Sequence, residues 1–150
     1  EAIKGHVLSV NIRDGKSEKK HNIGRSMLIE KSGLSGDAHA GFQHRQVSLL
    51  AEASVQKIRD KGLDVRFGDF AENLTISGVE LFTLPLGARL KVGKDVLLEI
   101  TQIGKLCHER CHIFHQVGDC VMPREGVFAA VIAGGEVQVG DEVEIVKPAF

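Results

Sequence analysis

The chain has 150 residues, 43% of them hydrophobic and 26% charged, with 17 glycines and 3 prolines. A chain of this length buries about two-thirds of the surface it exposes when unfolded, so one core suffices and residues 1–150 are expected to form a single domain; collagen-like, mucin-like and wholly disordered classes are excluded. Nineteen Lys and Arg oppose 20 Asp and Glu for a formal charge of −1, which leaves no global field to attract nucleic acid.

The longest apolar run, residues 127–133, falls well short of the roughly 18 residues that cross a bilayer, and the first residues do not resemble a secretory leader. The expectation is a soluble, cytoplasmic protein. Residues 2–12 alternate loosely and predict a strand, and the polar run 13–25 predicts a solvated loop. Residues 26–30 are a short strand candidate, followed by turns at Gly33, Gly36 and Gly41. Over 51–61 the apolar positions Ala51, Val55 and Ile58 fall at i, i+4 and i+7. Glu52 stands early, Lys61 late and Gly62 beyond as a stop, which together predict the one clear helix.

Beyond it, short runs of period two bounded by Gly predict strands over 73–76, 88–92, 96–101, 127–132, 136–139 and 142–146. Two stretches echo each other, one turning at Gly93 and one at Gly140, and both read as hairpins. Many short strands with one helix and short helical segments predict a mainly β, barrel-like fold.

Chemistry concentrates between Cys107 and Cys120. Cys107, Cys111 and Cys120 are interleaved with His108, His112 and His115, in a chain without a secretory mark. In a reducing compartment such a cluster is catalytic or metal-binding sooner than a disulfide framework. Cys111 beside Arg110 suits thiolate chemistry, because a neighbouring cation lowers a thiol pKa; the competing reading is a small, inert core cysteine. Cys107, Cys111, His115 and Cys120 also offer four zinc ligands, although their spacing departs from two separated knuckles. His108 and His112 share a face only on a helix and read as surface or supporting groups. A cysteine hydrolase with a histidine base is the weakest reading, since no oxyanion hole or orienting residue is visible. The stretch 36–47 matches no nucleotide-binding loop, yet its turn amides with His39, His44 and Arg45 form an anion-binding constellation, against the alternative of a turn with solvated histidines.

In order along the chain, Gly36-Asp37-Ala38-His39-Ala40-Gly41, Arg45-Gln46-Val47-Ser48-Leu49, Phe67-Gly68-Asp69-Phe70-Ala71-Glu72-Asn73-Leu74, Leu86-Gly87-Ala88-Arg89-Leu90-Lys91-Val92-Gly93, the cysteine segment and then 118–128 to Gly140-Asp141 resemble the MOSC domain, the fold named after the C-terminal domain of molybdenum-cofactor sulfurase. The resemblance implies a β-barrel-like domain with a characteristic cysteine that carries sulfur as a persulfide or binds the molybdenum of a pterin cofactor. It places that cysteine at Cys111, with Arg110 holding the thiolate charge. His39, Gly41, Arg45 and Asn73 are placed around an anionic or pterin ligand. It further implies a sulfur transferase or molybdenum-cofactor-dependent protein, served by a pyridoxal-phosphate cysteine desulfurase-type sulfur donor. The alternative is a non-enzymatic binding module stapled by zinc through Cys107, Cys111, His115 and Cys120. Near-zero net charge and exposed sheet edges permit a homodimer.

Overall fold

The computed structural model describes residues 4–12, 21–35, 46–70, 72–104 and 125–146. In chain order the strands are β1 (Lys4–Ile12), β2 (His21–Asn22), β3 (Arg25–Ile29), β4 (Gly33–Leu34), β5 (Val47–Ala51), β6 (Leu74–Ser77), β7 (Arg89–Val92), β8 (Val96–Ile103), β9 (Val127–Ala133), β10 (Gly135–Gln138) and β11 (Glu142–Val146). Helix α1 (Glu52–Arg59) follows β5 without a loop, and one 3-10 turn (Leu81–Thr83) follows β6. Hydrogen bonding runs β11-β7-β8-β9-β5-β6-β1 and returns from β1 to β11, so seven strands close into a barrel, with β2 added at the far end of β1. The mainly β, barrel-like class expected from the alternation is what forms.

Period-two patterning explains the barrel's filling. Val96, Leu98 and Ile100 of β8, Val127, Ala129 and Val131 of β9, and Leu90 and Val92 of β7 all enter one buried cluster. A register shift between Val7 and Ser9 of β1 lets both Val7 and Val10 join that cluster. A second sheet, in the order β10-β3-β4, lies against one end of the barrel, and its Leu28, Leu34 and Val137 complete the same core.

Helix α1 packs on the outside of the wall. Val55 and Ile58 meet Leu50 of β5 and Phe128 of β9, with Val65 and Phe70 closing a second apolar cluster. Glu52 in the first turn and Lys57 and Arg59 in the last complement the helix dipole. The predicted stop is correct, because Gly62 takes φ +94°, a conformation that favours glycine. No helix among the described residues is long and apolar enough to cross a membrane.

Three local expectations are corrected. Val47–Ala51 is a strand that the alternation rule did not reveal, since all five residues are buried: one face lines the barrel and the other lies under α1. The polar run 13–25 contains β2, which pairs with Asn11 and Ile12, and the first residue of β3; residues 13–20 lie outside the described residues. Asn22 stabilises this return, its Oδ1 accepting the N–H groups of Val10 at 3.0 Å and Gly24 at 2.9 Å. Finally, the stretch turning at Gly93 is a hairpin of β7 and β8, but the one turning at Gly140 is not. β10 pairs with β3 while β11 pairs with β7 and β1. Between them the chain crosses from one sheet to the other, and Val139 N–H and Gly140 N–H donate to the carbonyls of Gly24 and Val7 instead of to a hairpin partner.

Close strand approach also gives a test. A Cβ on Gly5 would stand 1.9 Å from the Ser77 carbonyl oxygen, so β1 and β6 must separate to accept it. Gly5→Ala is expected to cost about 1–3 kcal/mol, as overpacking does, seen as a lower urea midpoint at unchanged slope. An unshifted midpoint would show that the β1–β6 contact is looser than described.

Candidate functional site

The motif-bearing stretches are far apart in sequence, and β5 links them: the glycine-rich stretch and Glu72-Asn73 join near its start, and the cysteine segment closes beside its end. Leu49 pairs with Leu74 of β6 on one side and Val127 of β9 on the other, so the starts of β6 and β9 stand about 10 Å apart, two strand spacings. The glycine-rich stretch rejoins the barrel at Gln46, whose Oε1 accepts the Val131 N–H at 2.9 Å. Glu72 and Asn73 immediately precede β6. The cysteine segment connects β8 to β9, and its two ends are held together: Ile103 pairs with Val127, and Gly104 N–H donates to the Gly126 carbonyl at 2.6 Å. All these junctions fall on four adjacent strands, β6-β5-β9-β8.

Polar groups of the wall interlock on the face turned away from the barrel interior. The Asn73 Oδ1 accepts the Ser48 N–H at 2.9 Å and the Ser48 hydroxyl at 3.2 Å, while its Nδ2 donates to the Asn11 carbonyl at 3.2 Å. Asn11 N–H in turn donates to the Asn73 carbonyl at 2.7 Å. One side chain thus ties β5, β6 and β1, and it is only 2% exposed. Alongside, Asn11 Nδ2 donates to the Glu72 carbonyl at 3.1 Å, and its Oδ1 accepts the Ser9 hydroxyl.

Glu72 is fully buried. Burial pushes its carboxyl pKa above the usual carboxylate value of 4.5. Hydrogen bonds from the Gly68 backbone, the Thr75 hydroxyl at 2.7 Å and the Phe70 N–H at 3.3 Å oppose that rise without cancelling it. A buried carboxyl in this position keeps its proton more readily than an exposed one.

The exit of the cysteine segment is tied to α1. Glu125 is 7% exposed, and its two carboxylate oxygens accept the Ser54 hydroxyl at 2.6 Å and the Lys57 ammonium at 2.7 Å. Lys57 Nζ also stands 5.2 Å above the Phe82 ring. A separate cleft of about 540 Å³ is lined by Glu52, Gln56, Glu80 and the wall around Gly78. Its described charged groups are acidic, the wrong sign for a phosphate-bearing ligand.

Of the residues singled out from the sequence, Asn73 is placed as above. His39, Gly41, Arg45, Cys107, Arg110, Cys111, His115 and Cys120 lie outside the described residues. Among the described residues no group of three His, Cys, Asp or Glu side chains is arranged to hold a metal ion. Ser48, Glu72 and Glu125 carry interactions that sequence reasoning assigned to none of them. Glu72 gave a partial signal as a carboxylate between Phe70 and Leu74, whereas the Ser54–Glu125 pair spans 71 residues and leaves no local trace.

Comparison with known proteins matches residues 36–144 to the model of the MOSC domain family. No curated protein sequence matches the chain. Among solved structures, the YuaD protein from Bacillus subtilis superposes with a TM-score of 0.80 at 19% identity, covering 97% of this chain and 97% of that one. YiiM from Geobacillus stearothermophilus superposes at 0.71 with 18% identity, covering 95% of this chain and 75% of that one. YiiM from Escherichia coli superposes at 0.64 with 19% identity, covering 99% and 71% respectively. At these identities the structures establish the shared fold.

The buried carboxyl predicts a pH signature. A folded pKa raised above 4.5 contributes stability that is complete below that pH and is lost as pH rises through the folded value. Glu72→Gln keeps the shape and a group able to bond Thr75 but removes the titration. The variant and the parent should therefore differ little in urea stability near pH 4, and the variant should become progressively the more stable toward pH 8. Curves that stay parallel over that range would mean that Glu72 does not hold its proton.

Proposed function

The chain belongs to the MOSC domain family, and from that premise we propose that it handles the molybdenum cofactor or its sulfur, with Cys111 as persulfide carrier or molybdenum ligand. The observation that carries this reading is the convergence on β6-β5-β9-β8. The strands on which it rests bring the junctions of the glycine-rich stretch, of Glu72-Asn73 and of the cysteine segment onto one wall. Two of the junctions meet at the start of β5, where Arg45 is three residues from Ser48, which Asn73 holds; the cysteine segment closes beside Leu49 and Leu50, about 13 Å further along the same strand, so its roughly 20 residues are the part that would span to a common site.

The donor set fits such a cofactor in chemical character. A thiolate is soft and polarisable, matching both sulfane sulfur and a soft metal, and Arg110 favours its ionised form. His39, Arg45 and the amides of a glycine-rich stretch suit a pterin phosphate in chemical character, and Asn73 locks β5, the strand that follows that stretch in the chain. When bound, the cofactor supplies a soft metal centre able to take a sulfur ligand.

As a sulfur carrier, Cys111 attacks as the thiolate on the outer sulfur of a donor persulfide. A new sulfur–sulfur bond forms at Cys111, the donor's own sulfur–sulfur bond breaks, and the donor leaves as a thiolate, so no external oxidant is needed. The donor suited to this step is a cysteine desulfurase-type protein, and the reducing conditions that keep Cys111 free are those of the cytoplasm.

Purified protein incubated with a low-molecular-weight persulfide should gain one sulfur in intact-mass measurement. Cys111→Ser should lower the labelled fraction by more than about tenfold, with Cys107→Ser and Cys120→Ser remaining labelled. Full labelling of Cys111→Ser would remove Cys111 from the role. Elemental analysis after co-expression with molybdenum-cofactor synthesis separates molybdenum from zinc, and about one zinc per chain lost together with the fold on chelation would favour the zinc-stapled module instead.

A further inference from the structure

We propose that Ser54, Lys57 and Glu125 form a positioning clamp through which helix α1 sets the orientation of the connection bearing Cys111; the consequence for sulfur chemistry rests on the reading of Cys111 above. The clamp's first argument is redundancy. The β8–β9 ladder, the Ile103–Val127 pairing and the bond from Gly104 N–H to the Gly126 carbonyl already close the base of the connection. Barrel closure therefore does not require the Glu125 side chain.

The second argument is where that side chain goes. Glu125 is the first described residue after the cysteine segment, and it reaches outward to α1 instead of to a neighbouring strand. Ser54 and Lys57 lie three residues apart, on one side of the helix, and take one carboxylate oxygen each. Ser54 is fully buried on the helix face shared with Val55 and Ile58, where an apolar residue would pack as well. Glu125 is 7% exposed, and burying a carboxylate is costly unless it is hydrogen-bonded and paired. Two mutually dependent departures from apolar packing thus meet at one point. That point is the junction between α1 and the segment that carries the thiols.

Lys57 is half-exposed, so solvent screens part of its attraction, and its alignment is steadied by the Phe82 ring beneath its ammonium. The clamp accordingly links three separate parts: α1, the 3-10 turn after β6, and Glu125, two residues before β9. A group fixed at one end of a connection from two directions limits the directions in which the chain leaves the barrel. Near-attack geometry is sensitive to shifts of about 1 Å, so such a group affects reaction at a thiol without touching it.

The test uses the full chain carrying Cys107→Ser and Cys120→Ser, in which Cys111 is the single thiol, with Glu125→Gln, Lys57→Met and the double variant. Hydrogen exchange reads the clamp independently of sulfur chemistry. Peptides from 105–126 should exchange about tenfold faster in each variant, those from β7 and β8 should be unchanged, and the double variant should match the singles because the two groups act as one unit. Unchanged exchange over 105–126, or additive effects, would overturn the clamp. The pH profile of Cys111 alkylation by iodoacetamide then reads the consequence: its midpoint should move in each variant and move no further in the double. A parent profile already that of an ordinary thiol would instead count against the Cys111 reading, leaving the exchange result to judge the clamp by itself. Glu125→Gln retains the shape and the Ser54 contact, so the comparison does not depend on a cavity-forming substitution.

Discussion

The structure depends on burying β5 on both faces. Leu49 and Ala51 look into the barrel, Leu50 looks out beneath α1, and the backbone of Leu49 is shared between a parallel partner in β6 and an antiparallel partner in β9. Parallel pairing demands a crossover between the two strands, and α1 supplies it by packing back across the outer wall. Remove that strand and the barrel has two edges, the helix has no surface to cover, and the motif-bearing junctions are no longer neighbours.

A wall of this kind has an outer face that is buried without being uniformly apolar. Along β1 and β6 the Ser9 hydroxyl donates to Asn11 within β1, Asn11 Nδ2 reaches the Thr75 hydroxyl across to β6, and Asn73 Nδ2 donates to the Asn11 backbone carbonyl, so their burial is compensated group by group. Glu72 completes the arrangement, and its burial raises its pKa, shifting it toward the neutral acid relative to an exposed carboxyl. Specificity follows from this dependence. A one-residue slip of β6 against β1 would bring Asn73 away from the Asn11 carbonyl and turn its interior Leu74 toward the other face.

The same logic separates scaffold from chemistry. The barrel and its end sheet hold fixed points at Gln46, Asn73, Gly104 and Glu125, and the residues read as reactive belong to the segments strung between them. Reactive groups carried on connections and oriented by a rigid framework are a common solution, because the framework is stabilised by burial while the connections are free to vary in chemistry. MOSC membership and the placement of these points support one reading together, the first from residue pattern and the second from strand pairing.

Much of this was legible from the chain alone. Alternation exposed most barrel strands, and the i, i+4, i+7 spacing and Gly62 located α1, because each of these is a property of neighbouring residues. Pairing and burial were not local. A five-residue strand covered on both sides shows no alternation, an apparent hairpin at Gly140 dissolves when β10 finds β3, and Ser54 with Glu125 gives no hint until helix and strand meet. The amino-acid order thus determined most of the strands and where the helix stops. Tertiary structure decided which strands touch and which polar groups lose water, since both follow from contacts between residues far apart in the chain.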